Sequence, residues 1–119
     1  MPHSSIWVLI AGESKAAICS SREGSSQLLR TVAQADSHNQ GTEIGRRNFA
    51  LQLMSELFRG ARSGAYDGII IIAAKSMLDE LREIALPEFR RRVVAEIPRN
   101  PSDIPFFGSG PTPAWETVQ

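Results

Sequence analysis

The chain of 119 residues has a single cysteine, Cys19, which excludes an internal disulfide and any metal site built on several thiolates. Such sparing cysteine use suits a reducing compartment, and the chain reads as cytoplasmic. Aromatic residues are also few, at 7%, and none is interleaved among the basic residues as a base-stacking surface requires. Neither sign of charge dominates: 13 Lys and Arg offset 13 Asp and Glu, so no global field draws the molecule to nucleic acid or to an anionic membrane. Any such contact has to come from a local patch. No apolar run approaches the roughly 20 residues of a membrane span. The first such run, Ile6 to Ala11, is shorter than a signal-peptide core and has no basic region before it, so membrane insertion is not expected. The two histidines, His3 and His38, stand in segments without periodicity and offer no fixed geometry for a catalytic dyad with Cys19 or a serine.

What is present is an ordinary globular composition, 42% hydrophobic and 22% charged, at a length that fits one domain. Four consecutive isoleucines, Ile69 to Ile72, lie between Gly68 and Ala73 and predict a sheet-interior strand covered on both faces. Ser76 followed by Asp79 predicts a capped helix start, with Met77, Leu78, Leu81, Ile84 and Ala85 as the buried stripe. Pro87 begins a short helical turn to Arg92, and Val93 to Ile97 is a second β-branched strand. Ahead of this strand-helix-strand unit, Ile6–Ala11 and Lys15–Ser21 predict a hairpin. Gln27–Ala35 follows as a half-exposed strand with Leu28, Arg30, Val32 and Gln34 on one side. Asp36 to Gly45 reads as a surface connection. Arg46 to Ser63 reads as a helix with Phe49, Leu53, Met54 and Leu57 inward and Gly64 as its left-handed cap.

Right-handed crossovers then give a single α/β domain over residues 1–105: a mixed five-stranded sheet of order 3-2-1-4-5 in a ribonuclease-H-like arrangement. Residues 106–119, rich in Pro and Gly, form an extended tail whose Phe106, Phe107 and Trp115 fold back or dock on a neighbour, as in a tail-exchanged homodimer.

The run Ile69 to Arg82, with Ala73, Leu78, Glu80, Leu81 and Arg82, resembles the strand and Leu-Gly-Glu-Leu-Arg signature of the bacterial host cell attachment-required protein family. Val93-Val94-Ala95-Glu96-Ile97, followed by Pro101 and Pro105, is similar to that family's Val-Val-Ala-Glu segment, and the Trp7-to-Gly12 strand matches in kind. The resemblance covers about Ile6 to Pro105. It implies the fold of the middle domain of archaeal and eukaryotic peptide-chain release factors and no settled chemical activity. The Gly-Gly-Gln tripeptide with which true release factors trigger peptidyl-tRNA hydrolysis does not occur; Gly108-Ser109-Gly110 lies elsewhere and lacks the glutamine.

Two candidate sites emerge. Lys75, Ser76 and Arg82 surround the predicted start of the second helix, where free amides and the helix dipole favour an anion. Arg90-Arg91-Arg92 forms a basic run for an RNA backbone. A nuclease would need clustered carboxylates for two metal ions. The first strand supplies none before Glu13, and Glu56 stands alone on the first helix, where a solvated or ion-paired role fits it. No catalytic residue, metal ligand or cofactor is assigned. The reading is a noncatalytic domain that binds RNA, the ribosome or a protein partner. Two alternatives stay open: a hydrolase of a phosphate-containing or RNA substrate at Lys75, Ser76 and Arg82, and a structural protein assembling through its tail or sheet edge.

Overall fold

The computed structural model describes residues 5–12, 14–22, 25–35 and 42–100. The elements follow as β1 (Ile6–Ala11), β2 (Lys15–Arg22), β3 (Ser25–Ala33), α1 (Glu43–Arg62), β4 (Gly68–Ala73), α2 (Lys75–Ile84), α3 (Pro87–Arg90) and β5 (Val93–Pro98). They build one five-stranded sheet in the order β3-β2-β1-β4-β5, the expected topology. β1 and β2 pair antiparallel, Ile6 opposite Ser21 through Ala11 opposite Ala16, while β4 lies parallel to β1 on its other side. β5 lies parallel to β4, because α2 and α3 carry the chain back to the amino end of the sheet before it re-enters.

The sheet's two faces differ. Leu9, Ala11, Ala16, Ile18, Val32, Ile69, Ile71 and Ala73 point to the layer of helices and join their apolar stripes in one core. The opposite face carries a smaller cluster, Ile10 and Ala17 with Val8, Leu28 and Ile72 against them, and contains no helical residue among those described. The isoleucine strand is therefore not equally covered on both sides: Ile69 and Ile71 are buried, Ile70 and Ile72 half-buried. A run of one residue type cannot show the difference, since strand side chains alternate whatever their chemistry.

Three further expectations change. β3 begins at Ser25, and a register shift opposite Ile18 and Cys19 leaves Leu29 as an extra residue. Leu28 thereby faces away from the helices while Val32 faces them, so the predicted side shared by Leu28, Arg30, Val32 and Gln34 is broken by the bulge. α1 starts at Glu43, not Arg46, because Thr42 caps it: its Oγ1 accepts the Gly45 amide at 3.0 Å. Finally, α2 starts one residue before Ser76. Its N-cap is Ala74, which makes no side-chain cap bond, so the predicted Ser76 capping box does not form. At the far end of α1, Gly64 adopts φ +76 as expected of a left-handed cap. No helix among the described residues is long and apolar enough to cross a membrane. The calls on His3, Glu13, His38 and the 106–119 tail lie outside the described residues.

Candidate functional site

β4 and α2 place the first group of predicted residues. Lys75 and Ser76 are exposed in the opening turn of α2, just beyond the carboxyl end of β4. Arg82 does not join them at the helix start: it occupies the last turn, seven residues on and roughly 10 Å along the axis. Both cations instead reach the same acid. Lys75 Nζ lies 3.3 Å from Asp79 Oδ2 and Arg82 Nη1 lies 3.4 Å from Asp79 Oδ1. Arg82 also donates from Nε to Glu96 Oε1 at 2.7 Å, with Nη2 at 2.5 Å from the same oxygen, and this bond with its attendant charge raises the guanidinium pKa further. Lys75, Asp79, Arg82 and Glu96 thus form a chain of alternating charges in which two carboxylates supply what an anion would otherwise bring.

α3 and the turn after it place the second group. Pro87 sets the first helical position, Phe89 is buried, and the chain then turns into β5. Arg90 donates from Nη2 to the Arg82 carbonyl at 3.0 Å, tying α3 to the end of α2. The Arg91 amide donates to Pro87 O at 3.1 Å and the Arg92 amide to Phe89 O at 2.9 Å, while the Arg92 carbonyl accepts the Ile69 amide at 2.9 Å. The run is therefore fixed to the amino ends of β4 and β5, opposite to the Lys75 end. Among the described residues no carboxylate comes within ion-pairing distance of Arg90, Arg91 or Arg92. Arg47 and Arg30 contrast with them, Arg47 holding Glu80 at 2.9 Å and Glu83 at 2.8 Å and Arg30 holding Glu56 at 2.5 Å, whereas Arg46, Arg62 and Arg99 likewise have no carboxylate partner among the described residues. Glu56 is thereby an ion-paired residue, as its isolation on the helix suggested.

Between α2, α3 and β5 lies a cleft of about 470 Å³ that the sequence did not disclose. Ile71, Leu78, Leu81, Ala85, Phe89 and Val93 line its floor and walls, and Arg82, Arg90 and Glu96 its polar rim. A register shift in β5 shapes it: Val93 pairs with Ile69 and Ala95 with Ile70, so Val94 is extra, and Val93 and Glu96 both face the cleft. The one signal in the sequence was Phe89, a lone aromatic in a charged run. Among the described residues no three His, Cys, Asp or Glu side chains come close enough to hold a metal ion. Cys19 is half-buried in β2, and burial pushes its thiol pKa up, away from reactivity.

A mixed sheet of order 3-2-1-4-5 with its helices packed on one face defines a small α/β domain. The chain belongs to bacterial archaeo-eukaryotic release factor family 12, whose sequence profile matches residues 11–106. Its fold is similar to that of an archaeal translation termination factor, with a TM-score of 0.59 at 13% identity over 81% of this chain and 30% of that one. It is also similar to an archaeal protein (TM-score 0.58, 14% identity, 81% and 30%) and to Pelota of Archaeoglobus fulgidus (TM-score 0.51, 14% identity, 81% and 26%). At these identities the likeness establishes the fold, and the chain spans about 30% of the length of the first two structures. A comparison with curated proteins returns no match.

Proposed function

We propose that this protein is a noncatalytic, translation-linked binding domain that engages RNA, on the ribosome or free, through Arg90, Arg91 and Arg92. The observation that carries the reading is that three consecutive arginines have no carboxylate partner among the described residues, in a chain where 13 basic residues offset 13 acidic ones. The exposed guanidinium groups of Arg90 and Arg91, at a corner held by α3 and β5, are suited to phosphate oxygens, which neutralise them by bidentate hydrogen bonding, while Arg92 is half-buried with its Nε enclosed and adds its charge from behind. Membership in a release-factor family supports a partner in translation, and the Archaeoglobus neighbour is titled Pelota and the other a translation termination factor. The lack of aromatic stacking partners fits binding to backbone and shape more than to base identity.

The test is binding to ribosomes, ribosomal RNA fragments and transfer RNA across roughly 50 to 200 mM salt. Replacing Arg90, Arg91 and Arg92 together by Gln is expected to weaken binding to one of these and to flatten the salt slope by about 2 to 3, one counterion per arginine. No shift with any of the three at low salt would end the proposal.

A further inference from the structure

Independently of that reading, we propose that the outer face of α1 pairs two copies of this chain through an antiparallel helix contact. The face opposite the core runs Ile44, Asn48, Leu51, Ser55, Phe58, Arg62, in alternating steps of four and three residues, which is the spacing of a seam between two helices. Ile44 is 63% exposed and Leu51 50%, and Phe58 is half-buried, so α1 turns apolar side chains to solvent as well as to its own core. Apolar residues occupy every second position of this seam and polar residues the others. A parallel copy would set Asn48, Ser55 and Arg62 against themselves. An antiparallel copy, with its two-fold axis between Leu51 and Ser55, sets Ile44 against the partner's Arg62, Asn48 against the partner's Phe58 and Leu51 against the partner's Ser55. An apolar side chain then stands at every level, and the two broken stripes merge into one continuous strip.

Charge selects the same arrangement. Beside Ile44 lies an open hollow of about 390 Å³, lined also by Arg47, Asn48 and three acids, Glu43, Glu80 and Glu83. The opposite end of α1 is basic, with Arg59 and Arg62 in its last turn, and the Arg62 guanidinium lies 5.8 Å over the Phe58 ring. The two-fold axis brings the partner's Phe58 and Arg62 together to this hollow, ring beside Ile44 and guanidinium beside the acids, and it does so twice. Opposed helix dipoles favour the same direction. A 20-residue helix is about 30 Å long, and one such pair buries on the order of 1,000 Å², the low end for a specific interface, so the dimer is weak and reversible.

Sedimentation equilibrium of the full chain, from about 5 to 500 μM, should show monomer and dimer with a dissociation constant on the order of 100 μM. Leu51→Glu, at an exposed position, should keep the thermal melt of the wild type and leave a monomer throughout, and Ile44→Ser should give the same loss by a second route. Arg62→Glu should weaken association roughly tenfold, because a carboxylate then enters the acidic hollow and each substitution counts twice across the axis. Adding Glu43→Arg should recover part of that loss, which a parallel pair cannot do, since there each end meets itself. The proposal is overturned by a chain that stays monomeric to about 1 mM, which leaves the stripe to a helix of another protein. A dimer that survives both Leu51→Glu and Ile44→Ser overturns it as well, and places the contact on the tail or a sheet edge. So does a double variant that associates no better than Arg62→Glu alone.

Discussion

Trp7, Gly60 and Tyr66 pack closely where α1 meets the first strand. The Trp7 and Tyr66 rings stand 4.5 Å apart between centroids, and a Cβ on Gly60 would fall 2.8 Å from Trp7 and 3.0 Å from Tyr66. Alanine there gains about 1 kcal/mol of helix propensity and meets an overpacking penalty of roughly 1–3 kcal/mol. Gly60→Ala is therefore expected to destabilise by about 1 kcal/mol in urea denaturation. Gly68→Ala should likewise destabilise by about 1 kcal/mol, because its Cβ would meet a methyl of the stiff, β-branched Val94 at 2.7 Å and Ile6 Cδ1 at 3.1 Å.

The Tyr66 hydroxyl donates to the Leu57 carbonyl, and burial pushes its pKa up to about 12, with the charge of Arg92 pulling slightly the other way. Unfolded, the phenol titrates near pH ~10. Between these values the native state keeps a proton that the unfolded state has released, so this contribution to stability is complete below about 10 and is lost as pH rises toward about 12. Tyr66→Phe should cost about 1 kcal/mol at pH ~8. The difference between wild type and variant should shrink in denaturant melts at pH ~11.

Elements differ in how their energy is distributed. In β4 the helix-facing Ile71 is 2% exposed, while Ile72 on the other face is only half-buried. Ile71→Ala should cost roughly 2–5 kcal/mol, a cavity in the main core, and Ile72→Ala distinctly less by the same denaturation assay. The Thr42 cap of α1 should be worth about 1 kcal/mol on replacement by Ala. Glu96→Gln, by contrast, leaves Arg82 its Asp79 partner in an exposed ion-pair chain and should change stability by less than about 1 kcal/mol. The helices of this domain were legible because 3.6-residue periodicity survives in composition: Phe49, Leu53 and Leu57 could only be one face of α1. The ends of the elements were less so. Thr42 and Ala74 became caps because of where the chain had to leave a strand or a connection, and a serine in a favourable motif, Ser76, was bypassed.

At the scale of the whole molecule, one core draws on β1 to β4 and on all three helices, so unfolding should be a single transition. Aromatic and backbone circular dichroism should give coincident melts, and separated ones would show that the sheet and the helices are independent. The strand order 3-2-1-4-5 was decided by the amino-acid sequence alone, because two short turns force a meander and two helical crossovers admit only one hand. The sequence also determined the basic run and the absence of disulfides. Tertiary structure alone decided which side chains of β3 and β5 face inward, since bulges at Leu29 and Val94 shift the side-chain alternation by one residue and no residue type announces a bulge there. It alone separated Lys75 from Arg90–Arg92, placing them at opposite ends of the sheet, and coupled Arg82 to Glu96. The cleft, likewise, exists only once α2 and α3 close over β5, because its lining comes from four successive elements that meet only when the chain folds back on itself.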